Sequence, residues 1–222
     1  GIGYFGKFCF KDSKAKNNLQ EFPLSTEELN LIGSHNYSNI TCCLAIATQF
    51  SKNYLQMAKV LKSHVGEPHR LESFLTCGNI NYIDDSKATN IAATISAIKS
   101  LEEPLILILG GLTKGQNFNS LTKILHLRPI SLIVFGLYVS TICESFKKSS
   151  LLFEKVKDLK EAVFLANKIA NKKITLSQRK AFQINILLSP ACSSLDVYEN
   201  YRQRGEDFKK LVITNFHGER IC

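Results

Sequence analysis

Beyond Arg70 the chain alternates short, nearly all-apolar runs with longer stretches of helical periodicity, and this alternation constrains the fold more than any other feature. The runs Asn81–Ile83, Leu105–Leu109, Leu132–Phe135 and Ile184–Leu188 have the length and composition of strands. Helical spacing follows each of them, at Asn90–Ser100, Phe118–Leu125, Val139–Lys147 and Ser194–Leu211, with a further helix predicted at Leu159–Ile169. A strand with one wet face would alternate apolar and polar residues; these do not, so both of their faces are covered. The pattern predicts an α/β domain: a doubly wound, mostly parallel sheet with helices on each side. Ligands of such sheets bind beyond the carboxyl ends of the strands, and chemistry is to be sought there.

Upstream the pattern differs. Residues 1–34 mix short apolar runs with a polar stretch, Lys11–Asn18, that reads as an exposed loop, and they are not expected to fold alone. From Asn36 to Ser63, apolar residues at Ile40, Leu44, Ala47, Tyr54, Ala58 and Leu61 predict an amphipathic helix broken near Ser51–Asn53. Gly66 and Pro68 then make a natural linker. The division expected is residues 1–66, a hinge at 67–70, and the α/β domain at 71–222.

Composition narrows the class. With 45% hydrophobic and 21% charged residues the chain has a globular balance. Its uninterrupted apolar stretches, such as Leu105–Leu109 and Ile186–Leu188, fall far short of the roughly 20 residues that span a bilayer as a helix. No secretory pattern opens the chain, although Gly1 in place of Met leaves room for an upstream start. Seven scattered cysteines, with no C-x-x-C and no His pair at zinc spacing, read as reduced thiols of a cytoplasmic protein that binds no structural metal. The net charge of +9 raises the question of nucleic acid. The lysines, however, are spread over helical surfaces without interleaved aromatics, and a basic chain equally suits a polyanionic small molecule.

The strand ends carry D-D-S-K-A-T-N at 84–90, G-G-L-T-K-G at 110–115 and S-P-A-C-S-S-L-D at 189–196. Each combines hydroxyls, small residues or cations at the predicted start of a helix, where backbone N–H groups and the helix dipole favour a carboxylate or phosphate. Any one of them could be an ordinary helix cap; three on one sheet edge point to a ligand. Gly110 and Gly115 are spaced as in a P-loop but are followed by Gln116 and Asn117, where Lys and then Ser or Thr are required. No G-x-G-x-x-G follows the first strand of the α/β region, and no G-x-S-x-G or H-E-x-x-H occurs, so dinucleotide, esterase and zinc-protease readings have no motif in place.

Together with S-H-N-Y-S-N at 34–39, E-P-H-R-L-E at 67–72, L-L-S at 187–189 and R-G-E-D-F at 204–208, these segments resemble, in order and spacing, the D-glutamate-adding members of the Mur ligase family. The likeness covers about residues 30–212. It implies a Rossmann-like C-terminal ligase domain at 71–222, preceded by the end of the central ATPase domain. The implied activity is ATP-dependent and magnesium-dependent amide formation between D-glutamate and UDP-N-acetylmuramoyl-L-alanine in peptidoglycan precursor synthesis, by a monomer that needs neither nucleic acid nor membrane. By position the resemblance gives Lys87, Thr89, Lys114, Ser194, Leu195 and Tyr201 to the amino-acid site. It gives Asn36, Asn39, His69, Arg70 and Asp85 to the nucleotide, with Asp85 on the ribose. The asparagines, as helix-start residues, could equally be caps.

Three departures are visible. Tyr201 stands where the family often has Phe; Leu112 and Thr113 precede Lys114 where an Asp is common; residues 171–185 are longer than the family's turn. The family's P-loop, magnesium-binding carboxylate and carbamylated lysine lie upstream of the segment represented here. The expectation is therefore a piece of an enzyme, inactive by itself, with a non-catalytic amino-acid-binding module as the alternative.

Overall fold

The computed structural model describes residues 7–11, 19–31, 33–102, 104–146, 149, 151–177 and 182–216. The chain divides into two compact units, Gly1–Gly66 and Glu67–Cys222.

In the first unit β1 (Lys7–Lys11) and β2 (Leu19–Ser25) form an antiparallel pair, followed by α1 (Ser34–Phe50) and α2 (Tyr54–Ser63). The helical pattern breaks at Ser51–Asn53 because Asn53 caps α2, its side chain accepting the Gln56 N–H at 3.1 Å. Phe8, Phe22 and Leu24 of the strands pack with Ile40, Leu44 and Ala58 of the helices. The strand residues thus find a core with α1 and α2, and the apolar runs of this segment belong to a hairpin. Apart from Lys11, the predicted polar loop lies outside the described residues.

The second unit is a six-stranded sheet in the order β3-β4-β8-β5-β6-β7. Its strands are β3 (Glu72–Cys77), β4 (Ile80–Asp84), β5 (Leu105–Gly110), β6 (Ile130–Phe135), β7 (Phe153–Lys155) and β8 (Ile184–Ala191). Only the β3–β4 pair is antiparallel. The helices are α3 (Ile91–Lys99), α4 (Asn119–Leu127), α5 (Val139–Phe146), α6 (Leu159–Leu176) and α7 (Tyr201–Phe216). Tyr82, Ile106, Ile108, Ile133, Phe135, Ile186 and Leu188 pack with α6 and α7 through Ala162, Ala166, Phe208 and Val212. Alternate residues, Ile83, Leu105, Leu107, Leu109, Val134 and Leu187, are buried as completely and face α3, α4 and α5 by the two-residue period of a strand. Each such side chain contributes about 1.5–3 kcal/mol of transfer free energy.

The helix expected from Ser194 begins instead at Tyr201. The intervening residues turn tightly, Val197 and Tyr198 donating back to the Ser194 carbonyl, and Asn200 accepts the Gln203 N–H ahead of the helix. Lys147, the last residue of the helix expected at 139–147, lies outside the described residues, as do 178–181 of the segment longer than the family's turn. Among the described residues no helix is long and apolar enough to cross a membrane.

Candidate functional site

Strands β4, β8 and β5 are neighbours and parallel, so the loops that follow them open on one edge of the sheet. Two devices hold these loops together. The first is an isolated backbone pair, with Leu112 N–H on the Ser193 carbonyl at 2.9 Å and Ser193 N–H on the Leu112 carbonyl at 3.0 Å, supported by Gln116 Nε2 on the Ala191 carbonyl at 2.6 Å. The glycines are there for contact: a Cβ on Gly110 would overlap the Phe135 carbonyl, and one on Gly111, at φ +121°, the Ser193 carbonyl. Packing accounts for this Gly–Gly pair without any phosphate.

The second device is Arg204, 1% exposed in the first turn of α7. Its Nε donates to Ser86 Oγ at 2.9 Å, Nη2 to the Ser86 carbonyl at 2.8 Å and Nη1 to the Cys192 carbonyl at 3.1 Å. Ser86 Oγ in turn donates to the Tyr201 carbonyl at 2.8 Å, so one guanidinium ties the β4 loop, the β8 loop and α7. Burial lowers its pKa to about 10, against the raising influence of Asp196, and leaves it cationic at neutral pH. Asp196 is itself raised by burial, and its Oδ2 is buried without a hydrogen-bond partner.

The segment preceding β3 is fixed as firmly. His69, 4% exposed and at φ +63°, places Nδ1 2.7 Å from Asp84 Oδ2 and Nε2 3.3 Å from Glu206, while its N–H donates to Glu72 at 2.8 Å. Leu71, at φ +47°, donates its N–H to Asp85 Oδ1 at 3.1 Å, and Ser189 Oγ donates to Asp85 Oδ2 at 2.7 Å. Burial pushes Asp85 up to about 7, opposed by those two donors and assisted by the neighbouring Asp84 charge. Asp84 is likewise raised by burial, with His69 the main opposing influence. At Glu72 burial acts upward, but the bonds from Lys209 and the His69 N–H prevail and its pKa falls.

The residues expected at the amino-acid site divide as follows. Lys87 and Tyr201 meet, the ammonium lying 5.8 Å from the ring centroid. Thr89 is exposed beside Asn90, which caps α3 by accepting the Ala93 N–H. Lys114 is exposed at φ +49°, on the loop paired with the strand end that carries Ser194, which is buried, and Leu195, which is exposed. Of the residues expected at the nucleotide, Arg70 is half exposed, whereas His69 and Asp85 face inward with both ring nitrogens and both oxygens already engaged. Asn36 and Asn39 lie on α1 of the first unit; the cap of that helix is Gly33, with no side-chain cap bond.

Reading the sequence assigned no role to Asp84, Arg204 or Gly205, although they stand in the segments at 84–90 and 204–208. A glycine inside a helix is a signal that something approaches closely, and a Cβ there would overlap His69 Nδ1. Among the described residues the one cluster with metal-ligand spacing is His69, Glu72 and Asp84. His69 Nδ1 already bonds Asp84, and Lys209 Nζ lies 2.7 Å from Glu72 and 3.9 Å from Asp84, so both carboxylates already face a cation and suit magnesium poorly.

No family model matches the chain. It is 37% identical over 186 residues to the UDP-N-acetylmuramoylalanine–D-glutamate ligase of Prochlorococcus marinus (strain NATL2A), covering 83% of this chain and 38% of that protein. The enzymes of the same name from Christiangramia forsetii and Alkaliphilus metalliredigens are 33% and 36% identical, over 88% and 84% of this chain and 42% and 39% of their own lengths. The chain therefore spans about two fifths of the length of these curated relatives. Its fold matches Thermotoga maritima UDP-N-acetylmuramate–alanine ligase MurC with a TM-score of 0.59 at 15% identity, over 94% of this chain and 43% of that one. It also matches a Mycobacterium tuberculosis folylpolyglutamate synthase complexed with ADP and AMPPCP, with a TM-score of 0.64 at 13% identity, over 94% and 46%. With that identity carried across more than four fifths of its residues, the chain belongs to the Mur ligase family and corresponds to its C-terminal half.

Proposed function

We propose that this chain supplies the amino-acid-binding part of an ATP-dependent ligase that adds D-glutamate to UDP-N-acetylmuramoyl-L-alanine in cytoplasmic peptidoglycan precursor synthesis. The observation that carries this reading is the placing of Lys87, Thr89, Lys114 and Ser194 on the loops after three neighbouring strands, β4, β5 and β8, with those loops cross-tied by Arg204 and by the Leu112–Ser193 pair. Two ammonium groups and two hydroxyls suit a dicarboxylic amino acid, whose charges need donors held in place in advance. Tyr201 and Leu195 offer apolar surface to its methylenes. ATP supplies the activation of the acceptor's carboxylate; the residues of this chain hold and orient the amine donor beside it.

On the nucleotide side the reading rests on Asn36, Asn39 and Arg70, with His69 and Asp85 as neighbours that fix the backbone on either side of Arg70. No described cluster fits magnesium, since the carboxylates of the one candidate group already face Lys209. The chain contains no phosphate-binding loop, so by itself it is expected to bind D-glutamate without releasing phosphate from ATP. Calorimetry with D-glutamate tests this: Lys114→Ala should weaken binding by about tenfold or more, the worth of a charge-assisted hydrogen bond. Unchanged affinity refutes the pocket. Phosphate release at about 1 per second or faster, the ordinary enzyme range, refutes the inactivity of the isolated chain.

A further inference from the structure

Glu67 occupies the cations that the proposed site would offer to a substrate. Its Oε2 lies 2.8 Å from Lys87 Nζ and 3.5 Å from Arg70 Nη2. Lys87 lies over the Tyr201 ring at 5.8 Å, and the guanidinium of Arg202 lies 5.6 Å from the same ring. Lys87 and Arg70 thus hold one carboxylate, with the charge of Arg202 adding to theirs, and the chain itself supplies that carboxylate. The bond from Lys87, then its charge and that of Arg70, hold the Glu67 carboxyl below its ordinary value, so it is ionised whenever a substrate carboxylate would be. Glu67 is 63% exposed at its side chain, so its carboxylate can swing into water when another anion takes Lys87.

We propose that Glu67 is a built-in competitor for the substrate carboxylate: it neutralises Lys87 in the empty site and is displaced when an acidic amino acid binds. The proposal rests on the amino-acid-site reading of Lys87. Two consequences follow from the geometry. Displacing Glu67 costs every anion that takes its place on Lys87 the same amount, so a monoanion keeps little net gain whereas a dianion that also engages a second cation keeps more. Displacement also takes the Glu67 carboxylate from Arg70 Nη2, 3.5 Å away, so the charge of Arg70 is freed together with that of Lys87.

The test uses the whole 222-residue chain and the variant Glu67→Gln, which keeps the side chain's size at an exposed position. Two quantities are measured: the rate at which an acylating reagent labels Lys87, read by mass spectrometry, and the affinities for D-glutamate, acetate and inorganic phosphate. The variant should label faster at Lys87. It should bind D-glutamate about two- to fivefold more tightly, the range expected when an exposed ion pair is removed from competition, and acetate more tightly by a similar factor. An unchanged labelling rate, or no gain in affinity for any of the three anions, overturns the proposal. Faster labelling with a gain for phosphate alone supports the competitor and refutes the amino-acid reading of the site, which separates the two failures.

Discussion

Gly205→Ala should destabilise the second unit, although the same change in an exposed helix normally stabilises by about 1 kcal/mol. The new Cβ would overlap His69 Nδ1 and lie 2.8 Å from Asp84 Oδ2 and 2.9 Å from His69 Cε1. Neither neighbour is the loose end of a flexible side chain. Asp84 is fully buried at the end of β4, and His69 is pinned through its N–H to Glu72. Either α7 moves outwards, at an overpacking cost of about 1–3 kcal/mol, or the His69–Asp84 bond breaks, at about 1.5–3 kcal/mol for a hydrogen bond to a charged group. After the helix-propensity gain of about 1 kcal/mol the net loss is roughly 0–2 kcal/mol. Urea unfolding followed by far-ultraviolet circular dichroism measures it. The same substitution in a His69→Ala background should recover the ordinary gain, giving a coupling of at least about 1 kcal/mol in the double-mutant cycle. A single variant that shows the full helix-propensity gain of about 1 kcal/mol would refute the claim that this glycine exists to seat the imidazole.

Arg204→Met should cost about 3–5 kcal/mol, the usual result of removing one partner from a buried charged network, because the Ser86 and Cys192 carbonyls lose their donors; thermal unfolding checks it, and a loss below about 1 kcal/mol contradicts it. Asp85 titrates near 7 when folded against 3.8 ordinarily, so the folded state holds the extra proton and its contribution to stability falls as pH rises from about 4 to 7, then levels off. Three units correspond to an amplitude of order 4 kcal/mol. Asp85→Asn should gain steadily on wild type across that window, and a pH-independent difference between the two proteins would show that Asp85 is not shifted.

The strands that could be read from sequence are those covered on both faces, because burial on both sides leaves an unbroken apolar run such as Leu105–Leu109. The edge strands were not readable. β3 has polar Glu72, Ser73 and Thr76 among its six residues, and β7 has three residues of which two are exposed. The start of α7 was misread because Leu195 and Val197 have helical spacing with the residues beyond, whereas both are exposed on a turn that Ser193 and Asn200 fix. At the site the outward-facing cations were legible from their type and position. Arg204, Asp84 and Gly205 were not, since their partners lie far away in sequence: Ser86 is 118 residues from Arg204.

The segment Asp84-Asp85-Ser86-Lys87 shows why a motif that reads as ligand-binding is mostly scaffold. At the end of a strand successive side chains face opposite ways. Asp84 accordingly lies against α7 and holds the His69 ring, while Asp85 lies towards α3, bonded to Ser189, which bonds Thr94, and holds the Leu71 N–H. Between them the pair grips both left-handed residues that flank Arg70, conformations that cost about 1–3 kcal/mol each where nothing compensates. Ser86 then seats Arg204. Only the fourth residue, Lys87, turns its charge outwards, and it does so from a backbone that the other three have fixed, its own N–H donating to the His69 carbonyl at 3.1 Å. A change at Asp84, Asp85 or Ser86 should therefore act on ligand binding through the placing of Lys87 and Arg70. That distinguishes these three positions from Lys87 itself, where a change removes the charge and leaves the fold intact.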